Sequence, residues 1–321
     1  HKFHPITCYA DVYFLHYRPC YGIQVRKRKN SMSALISNKY SQIDDDLRRL
    51  GICEGDTLLL RADLKNLGRV NRNDFLASLL RVLGPDGTLV SLSYTAGVPI
   101  WKLDQLDPFT MLSESYAGVL PNTMLKHPNA LRSQHPQCSV VAIGLNADVI
   151  TRGHGPKSPA YEPIRRLVDL KAKMALIGCV SSSPGFTTAH LAEVDLNLHR
   201  LAVFPKLFGT TPYIDENGCR SVFRRTDPGL CSKSYWKFYS HYVLANILRT
   251  GYVGSAYSVL ADAHICYQIE LKMLSADAKF TICTDPTCIN CNMLRWDRLY
   301  KIPSLLARRM YAFFFKLLDS R

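Results

Sequence analysis

Hydrophobic positions along the chain fall into short apolar runs separated by amphipathic stretches, and the spacing predicts which become strands and which helices. A helical pattern begins at Ile43. After a tight turn at Glu54-Gly55-Asp56, the run Thr57-Leu58-Leu59-Leu60 predicts a buried strand. The amphipathic segment Asp74 to Leu83 predicts a helix, stopped by Gly84-Pro85-Asp86-Gly87, and Thr88-Leu89-Val90-Ser91-Leu92 predicts a second buried strand. Further apolar runs at Ser139–Ile143 and Met174–Ile177 predict strands, and Tyr213–Phe223, turning at Glu216-Asn217-Gly218, predicts a hairpin. Segments 235–249 and 259–274 read as helices. Strands without a polar side, alternating with amphipathic helices, indicate an α/β domain whose sheet is largely covered.

Composition supports one sizeable core. The 321 residues are 47% hydrophobic and 21% charged, which excludes disordered and collagen-like chains. With no internal repeat or long linker, a single domain over residues 33–282 is expected. It is preceded by a basic extension over 1–32, read as a disordered tail or as translated upstream sequence, and followed by a cysteine-containing loop and basic amphipathic helix over 283–321. The net charge of +14 suggests nucleic acid, but six Lys/Arg against one Asp lie in residues 1–31 and seven against two in 292–321. About +4 remains for the body, and no nucleic-acid signature accompanies it, so nucleic acid is not an expected partner. No run reaches the roughly 18 apolar residues of a membrane span, and the start lacks the basic-then-apolar order of a secretory signal. A cytoplasmic protein is expected. Its eleven cysteines are odd in number and scattered, which suits reduced thiols.

The segment Thr187-Thr188-Ala189-His190-Leu191-Ala192-Glu193 holds the pairing best suited to catalysis. With Thr187 or Thr188 as helix cap, His190 lies in the first turns of a helix over 187–201 and Glu193 shares its face. A carboxylate at that spacing raises the basicity of an imidazole and orients it, as a general base requires; a surface or capping pair has the same spacing. His135, before Pro136, marks a strand entry, where side chains often face a cleft, and structural use is the commoner case. Two glycine segments are decoys. Gly153-His154-Gly155-Pro156-Lys157-Ser158 has Pro156 where a phosphate loop needs glycine, and Gly251-Tyr252-Val253-Gly254-Ser255-Ala256 lies between two helical patterns, so it fails as a dinucleotide fingerprint.

Taken in order, seven motifs over about residues 43–283 carry a family resemblance. They are Leu50-Gly51-Ile52 with Gly55–Leu60, Leu67-Gly68-Arg69-Val70, Leu83–Val90, Ala130-Leu131-Arg132-Ser133-x-His135-Pro136 with Ser139-Val140, Ser158-Pro159, Thr187-Thr188-x-His190-x-Ala192-Glu193, and Val253-Gly254-x-Ala256. The sequence resembles the aminoglycoside 3-N-acetyltransferase family, also called antibiotic N-acetyltransferases. The resemblance implies a layered α/β/α domain with a central mixed sheet, distinct from the commoner acetyltransferase fold with a pyrophosphate loop. It implies direct transfer of an acetyl group from acetyl-CoA to an amine of an amino sugar or aminoglycoside, with His190 as base and Glu193 as the nearby carboxylate. It also implies that acetyl-CoA is held around Arg61, Ala62, Asp63, Leu64 and Lys65, with Ser133 contributing.

The departures are specific. Where the family usually has His-Ser-Ser or His-Ser-Asp after the first strand, this chain has Arg61-Ala62-Asp63, which leaves backbone amides and the cations Arg61 and Lys65 to hold the cofactor. The alternative is a catalytically inactive or metal-stabilised binding protein on the same fold. Oxyanion donors are expected from backbone N–H groups near the start of the 187–201 helix. Cys179, in the turn after the third strand, reads as inert packing. Carboxylates that could hold a polycation, such as Asp63, Glu162, Glu193 and Asp195, are few, which disfavours a specialised resistance enzyme.

The C-terminal region adds two features. From Pro303 to Arg321 the residues Leu306, Met310, Phe313, Phe314, Leu317 and Leu318 lie opposite Arg308, Arg309 and Lys316, with Leu305 and Phe315 breaking the pattern. Such a helix suits peripheral contact with the inner membrane face, as in cell-surface polysaccharide assembly, or docking on the body or on a second subunit of a homo-oligomer. Cys283-x4-Cys288-x2-Cys291 supplies three thiolates that suit zinc or iron–sulfur, with His264, Cys266 or Cys231 as the fourth ligand; ordinary cytosolic thiols are the alternative.

Overall fold

Leu58 and Leu60 of the first strand pack into one hydrophobic layer and Leu59 into another, and Ala175 and Ile177 alternate with Met174 and Leu176 in the same way. Side chains of a strand alternate between faces, so a strand apolar at every position needs cover on both. The computed structural model, which describes residues 42–198, 209–225, 231–292 and 299–319, supplies that cover. The expected extension over 1–32 lies outside the described residues.

The strands are β1 (Thr57–Ala62), β2 (Thr88–Leu92), β3 (Leu131–Arg132), β4 (Val140–Gly144), β5 (Lys173–Ile177), β6 (Thr210–Ile214), β7 (Arg220–Arg224), β8 (Arg249–Val253) and β9 (Ala256–Asp262). Seven of them form one mixed sheet in the order β3-β4-β2-β1-β5-β9-β8. A separate hairpin pairs β6 with β7, and bridges from Val98 to Thr210 and from Phe109 to Tyr213 attach it. β1 runs parallel to β2 and to β5, and every other pairing in the large sheet is antiparallel.

One face is covered by α1 (42–50), α2 (Arg72–Leu83) and α3 (Val119–Met124), whose Leu47, Leu79 and Met124 meet Leu58, Leu60 and Ile177. The other is covered by α4 (Ala147–Thr151), α5 (Glu162–Asp169), α6 (Thr188–Asp195), α7 (Tyr239–Leu244) and α8 (Ala263–Ala276). The layered α/β/α expectation holds. α2 starts where the Asn71 side chain accepts the Asn73 amide at 2.8 Å and ends on Gly84 at φ 66°.

Two expected helices are different elements. Within 235–249, a short 3-10 helix (Tyr235–Phe238) and α7 give way to β8, and within 259–274 the first four residues belong to β9. A short apolar run such as Val259-Leu260-Ala261 does not separate buried strand from buried helix by period. Gly254 turns the β8–β9 hairpin rather than joining helices.

After the short α9 (Ile289–Asn292), the C-terminal helix α10 (Ile302–Asp319) forms as expected. Leu305, which breaks its amphipathic pattern, is the residue that packs inward, while Leu306, Met310, Phe313 and Phe314 are exposed. Among the described residues no helix is long and apolar enough to cross a membrane.

Candidate active site

The parallel strands β1, β2 and β5 end at one edge of the sheet, where the chain leaves β1 toward β2 on one side and the later β5 lies on the other. Crevices at such points are where open α/β sheets place ligands. A cavity of about 680 Å³ opens there, lined by Arg61 and Ala62 at the end of β1, Asp63 to Lys65 just after it, Leu92 at the end of β2, Cys179 after β5, and His190 of α6. Tyr94, Tyr116 and Tyr161 add aromatic wall, and Arg225 a further cation. A concavity of about 670 Å³ between α2 and α3 is as large but lies away from the strand ends, so chemistry and not size distinguishes the first.

α6 places His190 and Glu193 one turn apart, and the nearest approach of Nδ1 to Oε2 is 3.7 Å. That exceeds a hydrogen bond. The hydroxyl of Tyr235 fills the gap: it lies 2.6 Å from Nδ1 of His190 and donates to Oε2 of Glu193 at 2.6 Å. Glu193 is only 1% exposed, so it lies beneath the cavity wall rather than in the cavity, and its contact toward His190 runs through the Tyr235 hydroxyl. Its other oxygen accepts from the Thr281 hydroxyl. Burial, reinforced by the charge of Glu193, pushes the Tyr235 phenol well above its ordinary pKa and keeps it protonated. His190 stacks on Tyr161, with centroids 5.4 Å apart and planes at 19°, and meets Tyr235 at an edge.

The turn before α6 is shaped around this chain. Gly185 has φ 76°, and a Cβ there would fall 2.2 Å from the Cβ of Tyr235. Its amide donates to the Tyr239 hydroxyl at 2.8 Å. Arg61 braces the same turn, donating to the Gly185 carbonyl at 3.1 Å and to both the carbonyl and hydroxyl of Ser183. Arg61 thus holds protein carbonyls, and Lys65, exposed at the rim, is the cation of that segment placed in solvent. Asp63 caps the short helix Leu64–Leu67 by accepting the Lys65 amide at 3.2 Å.

Other expectations are corrected. Thr187 is helical in backbone and makes no capping bond, and the Thr188 hydroxyl instead donates at 2.9 Å to Glu270 beneath α6. The amides of Ala189 and His190 donate to the carbonyls of Phe186 and Thr187, so these two of the amides near the helix start are engaged within the turn. Ser133 does not line the cavity: it is 1% exposed, and its hydroxyl accepts the Val140 amide at 3.0 Å and contacts Nδ1 of His154 at 2.9 Å.

The motif around Ser133 is scaffolding. Arg132 donates to the carbonyls of Ser93 and Ser113, tying down the chain that leads to Tyr116. His135 accepts the Cys138 amide at 2.9 Å and stacks on His154; burial lowers its pKa to about 3 and keeps it neutral. Cys179 is buried against the Arg61 carbonyl, and burial raises its pKa, which fits packing. Tyr235 and Thr281 carried no sequence signal, since each meets α6 only through the fold.

A model of the family described as aminoglycoside 3-N-acetyltransferase matches residues 59–275. The chain is 31% identical over 169 residues to aminoglycoside N(3)-acetyltransferase III from Salmonella, covering 47% of this chain and 58% of that protein. It therefore spans a little over half the length of that relative. The structure of AAC-IIIb with CoASH superposes with TM-score 0.60 at 24% identity, covering 74% of this chain and 96% of that one. A variant of AAC(3)-IVa in complex with a gentamicin gives 0.67 at 22% identity, covering 80% and 96%. At these identities the structural likeness is one of fold.

Proposed function

Because this chain belongs to the aminoglycoside 3-N-acetyltransferase family, we propose that it transfers an acetyl group from acetyl-CoA to the amine of an amino sugar, with His190 as general base. The observation that carries the reading is the buried chain Glu193–Tyr235–His190 ending in the cavity. An inert binding protein on the same fold has no use for it.

Tyr235 donates to the Glu193 carboxylate, so its oxygen accepts from His190. That places the ring proton on Nδ1 and the lone pair on Nε2. An alkylammonium is mostly protonated at neutral pH and must lose a proton to attack a carbonyl. His190 accepts that proton at Nε2, and Tyr235 and Glu193 stabilise the imidazolium that results. Acetyl-CoA, when bound, would supply the thioester: the C–N bond forms, the C–S bond breaks, and the second proton that the nitrogen sheds on becoming an amide is taken up by the departing thiolate, which leaves as coenzyme A thiol. No covalent enzyme intermediate is required.

The cavity lies within the roughly 300–1,000 Å³ range of small-molecule sites. Lys65 at its rim and Arg225 in its wall suit an anionic cofactor. The neighbour bound to CoASH supports the cofactor, and the one bound to a gentamicin supports an amino-sugar acceptor. Asp63 is the one carboxylate among the described lining residues, which favours an acceptor with few positive charges over a polycationic aminoglycoside.

Release of the coenzyme A thiol in the presence of an amine panel tests the reading. Amino sugars with a single ammonium should be turned over faster than aminoglycosides. His190→Ala should retain acetyl-CoA binding and lose turnover by about two to four orders of magnitude. Unchanged turnover refutes the assignment. Peripheral membrane contact or self-association through 303–321 is supported by the exposed face of Leu306, Met310 and Phe313; flotation with anionic vesicles and sedimentation separate the two.

A further inference from the structure

Outside the cavity, four sulfurs converge from two distant stretches of chain. The Sγ atoms of Cys231, Cys283, Cys288 and Cys291 all lie within 4.8 Å of one another. Of the fourth ligands the sequence left open, Cys266 is sealed in the core and His264 contacts Gln268 at 2.9 Å on the surface; Cys231 is the one that arrives. We propose that these four cysteines form a closed tetrahedral zinc site that fastens together the two loops supporting the His190–Tyr235–Glu193 chain.

The geometry suits one ion. Zinc–sulfur bonds of about 2.3 Å in a tetrahedron put neighbouring sulfurs about 3.8 Å apart, and the observed spread needs only small side-chain adjustment to reach that. In a four-iron cluster each thiolate sits on its own iron, and in a two-iron cluster the two pairs of thiolates sit on opposite irons, so either set spreads wider than these four sulfurs. An all-sulfur set is soft, which selects zinc over magnesium or calcium, and four protein ligands leave no open position for catalysis.

The loop is organised by hydrogen bonds of its own. Asp285 accepts the Thr287 amide at 2.8 Å, and the Asn292 side chain donates to the carbonyls of Asp285 at 3.1 Å and Cys288 at 2.8 Å. Cys288 precedes and Cys291 lies within the short helix α9, the usual two-residue spacing of a chelating pair. The Cys283 amide donates to Sγ of Cys291 at 3.4 Å, which helps fix that sulfur within the cluster.

The position explains what such a clamp does. Cys231 is followed by Ser232, which lines the cavity, and then by Tyr235; Cys283 comes just after Thr281, which holds Glu193. Polar contacts already run between the same stretches: Lys233 to Asp285 at 2.7 Å, Ser234 to the Ile282 carbonyl at 3.3 Å, and Lys237 to the Phe280 carbonyl at 2.9 Å. The first is exposed and the other two are partly buried, and each is of small individual worth. A metal adds a strong cross-link between sequences some fifty residues apart, and because it binds only the folded arrangement it stabilises that arrangement.

Metal content of the full chain, expressed with zinc in the medium and passed through a desalting column, tests this without any activity measurement. One zinc per chain is expected, released by an organomercurial that titrates the thiolates. Cobalt exchanged for zinc should give the visible ligand-field bands and sulfur charge-transfer absorption of a tetrahedral thiolate site. Cys288→Ser should fall to roughly a tenth of the zinc or less. Cys288→His, which keeps a ligand, should retain it and guards against misfolding as the cause, and Cys219→Ser, at an exposed thiol, should match the parent. Absence of zinc from reduced protein, disulfides among the four, iron in its place, or equal zinc in Cys288→Ser would overturn the proposal. Because zinc is read directly, its failure leaves the acetyl-transfer reading standing, and the converse holds.

Discussion

The phenolic oxygen of Tyr235 stands 2.6 Å from Nδ1 of His190 across a separation of 45 residues, and it completes a contact that the helical neighbour Glu193 cannot make directly. A carboxylate three residues along a helix reaches the right region, but here it turns into the core.

Tyr235→Phe keeps the ring that packs against His190 and removes only the hydroxyl. The lost bond belongs to a charged chain, worth about 1.5–3 kcal/mol. Turnover should fall roughly ten- to a hundredfold with KM for acetyl-CoA unchanged. A rise in KM alone, with turnover retained, would show that Tyr235 shapes the pocket and does not orient the base.

Glu270 lies fully buried under α6, accepting from Thr188 and Tyr242, and desolvation pushes its pKa up to about 8. The folded pKa is above the unfolded value, so folding favours the protonated acid. Its contribution is complete below the unfolded carboxylate pKa and is lost as pH rises through the folded one. Melting temperature should therefore decline between about pH 4.5 and pH 8 more steeply in the parent than in Glu270→Gln. Equal slopes in the two proteins would mean the carboxyl is already ionised in the fold.

Gly185→Ala forces an L side chain into left-handed backbone and sets its Cβ against Tyr235. Strain of this kind costs about 1–3 kcal/mol before any clash is relieved. Thermal denaturation should show a clear loss, with activity reduced further because Tyr235 is displaced. Gly155→Ala, where nothing lies within 4 Å of the new atom, serves as the neutral comparison.

Arg61 and Lys65 follow the same strand but should behave differently. Arg61→Ala removes the brace on Ser183 and Gly185 and should lower both stability and turnover. Lys65→Ala, at an exposed position, should raise KM for acetyl-CoA by up to about fivefold, an effect that disappears in high salt. Steady-state kinetics at two ionic strengths distinguish them.

Local periodicity was enough to establish the α/β class, the strands at Thr57, Thr88 and Met174, and the helical spacing of His190 and Glu193, because each is written in consecutive residues. The family motifs extended that to the architecture. Which residues meet was settled by packing: Tyr235 and Thr281 close on Glu193, Arg61 braces a turn, Ser133 lies buried, and Cys231 joins Cys283, Cys288 and Cys291. Hydrogen bonds and thiol clusters depend on distances through space between segments far apart in the chain, and no repeat in the order of residues encodes them. The same holds for Val259–Asp262, where a buried strand runs straight into a helix and only its partner strands β5 and β8 reveal where one ends and the other begins.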